Sequence, residues 1–178
     1  MGLIIKREIQ KLLPGYPTVS DKYNVQGGVL ASDSADAYFG TALIGTGVDG
    51  AYKAAASVTA TSVLAGILLA TNVKLAGEYP AGPSYRVKSV AGEEVNCMIE
   101  GFIAVPTAIT AAGFSGIAAG TPVDITAAGA FTANGTSSDF NIKGAYYTGV
   151  AEVKDLGGVA TVVAEIYLPM VHALEAIS

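Results

Sequence analysis

Residues 85–106 read YRVKSVAGEEVNCMIEGFIAVP, and they are the clearest indication of the fold class. Its first four residues alternate between apolar and polar side chains, the period of two that is typical of a β-strand with one buried face. Residues 91–94 have turn composition, and residues 95–105 follow as a long apolar segment that stops before Pro106. The stretch therefore predicts two strands joined by a short turn.

Short apolar segments separated by glycine-rich turns continue on both sides of residues 85–106. The 178 residues include 22 glycines, which tight turns use because glycine tolerates positive φ. Many short strands at fairly even spacing predict an all-β domain, either a β-barrel or a jelly-roll-like sandwich. Besides the central pair, the predicted strands cover residues 38–46, 62–72, 121–126, 130–132, 144–153 and 159–168.

The N-terminal residues follow a different pattern, so we predict an arm over residues 1–35 and a barrel domain over residues 36–178. Four apolar side chains fall on one face of a short helix: Ile5, Ile9, Leu12 and Leu13. Pro14 and Gly15 end that pattern. About three turns of helix are too short to be stable alone. The arm must dock on its own barrel or on a neighbouring subunit, and we favour the neighbour.

Charge is scarce in this chain. Hydrophobic residues make up 51% and charged residues 14% of the sequence, against roughly 25% charged in a typical soluble domain. A surface so poor in charge is adhesive unless an assembly covers it. The net charge is −5 and the ten basic residues are scattered, which argues against nucleic acid as a partner.

A membrane span is also not expected. Residues 54–73 carry no charge, but serine, threonine and asparagine interrupt them throughout. A buried strand with its flanking loop fits this composition better than a span.

No constellation of residues predicts catalysis, a cofactor or a metal site. The single cysteine, Cys97, lies in an apolar segment, and the single histidine, His172, lies in the C-terminal tail. Neither has a partner at metal-ligand spacing, and no nucleophile elbow is present. Residues 45–50 have the letters of a dinucleotide-binding fingerprint, but they sit among predicted strands and are interpreted as a turn. We expect a protein that is not an enzyme.

The nine tyrosines are the unusual chemical feature of the sequence. Tyrosine combines a large apolar ring with a polar tip, which suits interfaces, although its preference for strands is an equal explanation. Three of them lie near prolines or in loop-like sequence. The predicted interface residues are therefore Ile5, Ile9, Leu12, Leu13, Tyr16, Tyr23 and Tyr79.

Several short motifs, taken in order, resemble the structural cement and head-decoration proteins of tailed phages. No single motif is diagnostic, so the resemblance rests on their order along most of the chain. The motifs are residues 14–17 and 38–43 at the start, then residues 94–103, 119–126, 128–132, 149–153 and 159–168.

The resemblance implies a barrel or jelly-roll-like protein that binds the outside of an assembled capsid and locks neighbouring major capsid proteins together. It implies no catalytic residues. We expect a virion protein on the outer capsid surface, made in the host cytoplasm. We expect it to self-associate, with a homo-trimer at three-fold positions favoured and a dimer at two-fold positions second.

The sequence is also compatible with three other functions. Another virion component, such as a tail or minor capsid protein, would share this composition. A secreted bacterial surface or adhesin module would need an export signal, and residues 1–7 lack that pattern because their charges follow the apolar residues. A barrel enzyme or small-ligand binder would need a pocket lined by convergent polar groups.

Overall fold

The structure is a computed structural model that describes residues 12–18, 23–70, 88–133, 135–170 and 174–177. It is all-β, and no helix occurs among these residues. Twelve strands lie in the described ranges. They are β1 (Tyr23–Leu30), β2 (Ala37–Tyr38), β3 (Ala42–Gly45), β4 (Ala51–Ala54), β5 (Leu64–Leu68), β6 (Lys88–Ser89), β7 (Glu94–Pro106), β8 (Pro122–Ile125), β9 (Phe131–Thr132), β10 (Phe140–Asp155), β11 (Ala160–Leu168) and β12 (Leu174–Ala176).

Five strands close into a small barrel. In order around the ring they are β1, β4, β3, β5 and β7, and β7 closes the ring because it also pairs antiparallel with β1. Closure removes most of the free sheet edges that an open sheet would expose. The all-β prediction and its barrel alternative are confirmed.

Strand β7 connects the barrel to a second group of strands. Its first part pairs with β1 and β5, and its last six residues pair with β11, which leads on to β10, β8 and β9. The register shifts between the two parts, because Asn24 faces Glu100 whereas Val25 faces Met98, so Ile99 is an extra residue on β7. Such a bulge bends a strand and increases its twist, which lets one long strand serve both parts of the fold.

Two apolar clusters fill these two parts. The larger lies between the barrel and the added strands and includes Ile103, Ile142 and Ile166, all fully buried. The smaller includes Leu43 and Cys97. Most of the buried hydrophobic side chains are those of leucine, isoleucine, valine and alanine.

Most predicted strands are present, with two differences. Residues 38–46 form two strands rather than one, because Gly40, at φ 82°, turns the chain between β2 and β3. The sequence does not predict strands β1, β4 and β12. The boundary at residue 35 stays a prediction, although β1 lies before it and belongs to the barrel sheet. The predicted helix falls mainly on residues outside the described ranges, and Leu12 and Leu13 are not helical.

Among the described residues, two buried hydroxyls have no hydrogen-bond partner, those of Thr18 and Tyr147. The Tyr147 side chain is fully buried, its hydroxyl is unsatisfied, and burial raises the pKa of its phenol, with a smaller contribution from the charge of Asp124. A buried polar group without a partner costs about 1–3 kcal/mol. We therefore expect Tyr147→Phe to leave the free energy of unfolding unchanged or to raise it by about 1 kcal/mol in urea titrations.

The matched control is Tyr52→Phe. The Tyr52 ring is also buried, but its hydroxyl donates to the Gly27 carbonyl at 3.4 Å, so its removal should lower stability by up to ~1 kcal/mol. A loss at Tyr147 larger than the loss at Tyr52 would show that the Tyr147 hydroxyl is satisfied after all.

Candidate interaction surfaces

The described part of the N-terminal arm docks on its own chain. The Leu12 side chain packs against Ala104, Leu156 and Val163 and is 3% exposed, while its N–H donates to Glu152 Oε1 at 3.0 Å. This contact covers the face of β7 and β11 that points away from the larger cluster. The apolar docking expected of the arm therefore includes an intramolecular contact at Leu12.

Residues 15–18 continue along β7 as an added antiparallel segment. The Gly15 N–H donates to the Ala104 carbonyl at 2.9 Å, the Ala104 N–H donates to the Tyr16 carbonyl at 3.1 Å, and the Thr18 N–H donates to the Phe102 carbonyl at 3.0 Å. These bonds hold the arm to the barrel without any side chain of a partner. Tyr16 is partly buried here, and burial raises the pKa of its phenol.

The seven predicted interface residues therefore have different surroundings. Leu12 is buried inside this chain, so its side chain is not available to a partner in this conformation. Leu13 and Tyr16 are partly buried, and Tyr23 on β1 is 41% exposed. Ile5, Ile9 and Tyr79 lie outside the described residues. The apolar cluster around Leu12 does not include Leu13, Tyr16 or Tyr23.

A row of three aromatic rings crosses the outer face of the added strands. Tyr167 on β11 is opposite both Phe102 on β7 and Tyr146 on β10. The ring centroids are 5.1 Å apart for Phe102 and Tyr167 and 5.2 Å apart for Tyr146 and Tyr167. Phe102 and Tyr167 are partly buried and Tyr146 is 37% exposed. We call these three side chains the aromatic row.

Sequence reasoning missed the aromatic row, although one signal was available. Tyr146 and Tyr147 are adjacent in a strand, so their side chains must point to opposite faces. Tyr147 is fully buried and Tyr146 is exposed, so one of this pair had to lie on a surface. The partners from β7 and β11 could be assigned only once the strand register was known.

Strand β1 carries a second exposed apolar surface. Tyr23, Val25 and Val29 are 41%, 43% and 42% exposed, and their side chains share one face because they are spaced by even numbers of residues. The opposite face of β1 approaches the barrel, where a Cβ on Gly28 would lie 2.3 Å from the Tyr52 ring.

Two features of the described residues concern metal binding and cysteine reactivity. No cluster of three or more His, Cys, Asp or Glu side chains could hold a metal ion within these ranges. The Cys97 thiol is buried and donates to the Gln26 carbonyl at 3.4 Å, and desolvation raises its pKa, which disfavours a thiolate. A groove beside residues 108–117 has no charged side chain in its lining. Within the described ranges there is also no helix of the length and hydropathy that a membrane span requires.

Comparison with protein families matches residues 5–168 to the family described as structural cement protein (E217 gp24/Pam3 gp6). The chain belongs to this family. No curated protein matches the chain. The match covers the described arm residues, the barrel and the added strands through β11, so it confirms the family resemblance of the sequence motifs.

Membership in the cement protein family places the chain among structural proteins of the phage virion and capsid. It supports a role in stabilising the capsid and an association with capsid proteins. For a cement protein the functional sites are contact surfaces. The aromatic row and the apolar face of β1 are two exposed apolar surfaces of the described residues.

Proposed function

We propose that this cement protein binds the outer surface of the assembled major capsid protein lattice and thereby stabilises the phage head. The observation that carries the proposal is the family match over residues 5–168. The low share of charged residues supports it, because such a surface gains from being covered. The proposal includes synthesis in the host cytoplasm and attachment to the shell from outside.

The physical basis is preferential binding to the assembled state. A protein that binds the lattice, but not its separated subunits, stabilises the lattice by RT ln(1 + [L]/Kd) for each site. Because many copies occupy one shell, each small contribution is repeated over the particle. Affinity for a junction between capsid subunits is therefore sufficient for the role, and no chemical step is required.

We assign the aromatic row as the surface that contacts the shell. Buried aromatic side chains often dominate the binding energy of protein interfaces. The three rings lie on a strand-supported face, so little side-chain entropy remains to be lost when they are covered. The arm residues Ile5, Ile9, Leu13 and Tyr16, together with Tyr79, remain proposed contacts at the same interface.

We expect the double variant Tyr146→Ser, Tyr167→Ser to bind capsids at least ~10-fold more weakly than the unsubstituted protein, because a central aromatic contact contributes about 2 kcal/mol. The measurement is co-sedimentation of the protein with purified capsids that lack it, over a range of protein concentrations. Thermal melting of each free protein separates weaker binding from loss of fold.

The matched control is Val159→Ser. Val159 is 55% exposed in the turn between β10 and β11, away from the aromatic row. The affinity of this variant for capsids should therefore equal that of the unsubstituted protein. A folded double variant with unchanged affinity would rule out the aromatic row as the contact surface. Failure of the unsubstituted protein to sediment with any capsid of its phage would overturn the proposed function itself.

Self-association is a further part of the proposal. A trimer would match three-fold and quasi-three-fold positions of a shell, and a dimer would match two-fold positions. Size-exclusion chromatography with light scattering distinguishes the two states in solution.

A further inference from the structure

Strand β1 has an edge that no other described strand covers over most of its length. One side of it pairs with β7 from Tyr23 to Val29, whereas the other side pairs with β4 only at Val29 and Leu30. Beyond the bond from the Val29 N–H to the Gly50 carbonyl, at 2.8 Å, that side has no neighbouring strand in the described part of the chain. Residues 23–28 are thus the edge of the barrel.

The backbone groups at this edge can be assigned from the strand geometry. Leu30 faces β7, because its N–H donates to the Glu93 carbonyl at 2.9 Å. Since backbone groups alternate sides along a strand, the N–H and C=O groups of Tyr23, Val25 and Gly27 point to the open edge. The Gly27 carbonyl already accepts the Tyr52 hydroxyl at 3.4 Å, and no other described strand pairs with this side of Tyr23, Val25 and Gly27.

This edge lacks two of the features that normally prevent strands from pairing, although a bulge on β7 lies beside Val25. Proteins protect open edges with charged side chains, prolines or bulges. Strand β1 reads YNVQGGVL and has no charged residue and no proline. Its apolar face exposes Tyr23 and Val25 by about two-fifths each, at 41% and 43%.

A second free edge in the protein shows the contrast. Residues 150–155 of β10 pair only with β11 among the described residues. That segment carries Glu152, Lys154 and Asp155, which are side chains that discourage pairing with another strand. The absence of charge on the β1 edge is therefore a local property and does not apply to every edge of this molecule.

We propose that two copies of the chain pair through their β1 strands, antiparallel, about a two-fold axis at Val25. In this register Val25 faces Val25 of the partner subunit, and Tyr23 faces Gly27 of the partner subunit. No charged groups are brought together, and each tyrosine ring covers a glycine, an arrangement that stabilises cross-strand pairs. The interface is isologous, as a two-fold axis requires.

A second copy is the occupant that best fits this edge. Strand β1 carries no charge that would repel a second copy. Tyr23 and Gly27 each lie two positions from Val25, so each tyrosine lies opposite a glycine of the second copy. The inference deepens the self-association part of the proposed function and selects the dimer over the trimer. It does not depend on attachment to a capsid.

Disulfide trapping tests the register. In a Cys97→Ala background, Val25→Cys places two thiols on directly opposed residues, whose Cα atoms are about 5.5 Å apart in a hydrogen-bonded antiparallel pair, a separation that a disulfide can span. We expect most of this variant to form a covalent dimer under mild oxidation. Val48→Cys, at a position that is 69% exposed in a turn, is the matched control and should stay monomeric on the gel.

A second variant tests the edge without a cross-link. Val25→Pro removes an N–H that points away from β7, so it should raise the dimer dissociation constant at least ~100-fold in light scattering while thermal melting shows a folded protein. A monomeric or trimeric unsubstituted protein with no Val25→Cys dimer would overturn the pairing. Cross-linking to the capsid protein in place of a second copy would also overturn it.

The capsid experiment separates the two proposals. A dimer that does not sediment with capsids leaves the β1 pairing in place and overturns the attachment. A protein that sediments with capsids, but whose Val25→Cys variant never forms a dimer, leaves the attachment in place and overturns the β1 pairing. Both measurements use the full chain.

Discussion

Gly129→Ala is expected to cost at least ~4 kcal/mol of unfolding free energy, or to prevent folding altogether. A Cβ at this position would lie 1.3 Å from the Ala55 carbonyl oxygen and 2.4 Å from its carbonyl carbon. Both atoms belong to the backbone, so no side-chain rotation can relieve the overlap. The φ angle of 82° adds strain for any residue with a Cβ. Urea denaturation of the purified variant measures the loss.

The position of this turn explains why the effect should be global. Gly129 lies in the turn between β8 and β9, and its N–H donates to the Thr126 carbonyl at 2.8 Å. The same turn docks on the barrel, because the Val58 N–H donates to the Ala127 carbonyl at 2.8 Å. A shift of the turn would therefore separate the added strands from the barrel and open the larger apolar cluster.

Gly92→Ala is the matched control for backbone strain alone. Gly92 has a φ of 85°, nearly that of Gly129, but no atom lies within 4 Å of its added Cβ. Its expected cost is about 1–2 kcal/mol, the cost of a left-handed conformation. Equal losses for the two variants would mean that the overlap with Ala55 relaxes at no cost.

Leu12→Asp is expected to cost about 3–4 kcal/mol, comparable with the removal of a large core side chain. It would place a carboxylate against Ala104 and Val163 in a site that leaves leucine 3% exposed. The Glu152 carboxylate, which accepts the Leu12 N–H at 3.0 Å, would oppose a second negative charge nearby. Thermal melting and limited proteolysis measure the loss, the latter by cleavage within residues 12–18.

Leu13→Asp is the comparison for this variant. Leu13 is only partly buried, so a carboxylate there keeps contact with water, and the loss should stay below ~1.5 kcal/mol. If both variants melt like the unsubstituted protein, the arm is not part of the folded unit. If only the Leu12 variant becomes sensitive to protease while the barrel still melts cooperatively, the arm is a separable element whose docking depends on this one side chain.

The strands that could be predicted share a clear composition. Residues 95–105 and 159–168 are rich in valine, isoleucine and other apolar side chains, and they form most of β7 and β11. Strand β4 reads AYKA, and alanine gives almost no contrast between its two faces. Strand β1 contains two adjacent glycines with Asn24 and Gln26, so it resembles a linker. Both strands owe their conformation to the partners that hydrogen-bond to them.

The contact surfaces could be predicted less well than the strands. Tyrosines near prolines and in loops were chosen because loops carry most binding residues. Tyr23 is exposed, as an interface residue must be, but Tyr16 is partly buried. The aromatic row lies entirely on strands. Its three rings are far apart in the sequence and become neighbours only through the register of β7, β10 and β11.

Composition and local order along the chain are enough to predict the strand-rich class, the family and the scarcity of charge. The docking of Leu12 on its own chain, the bulge at Ile99 and the edge of β1 that no described strand covers follow from the fold as a whole. An apolar side chain or a backbone N–H specifies what must be satisfied and leaves the partner unspecified. Which distant strand supplies the partner depends on sheet closure and register, and these are properties of the whole fold.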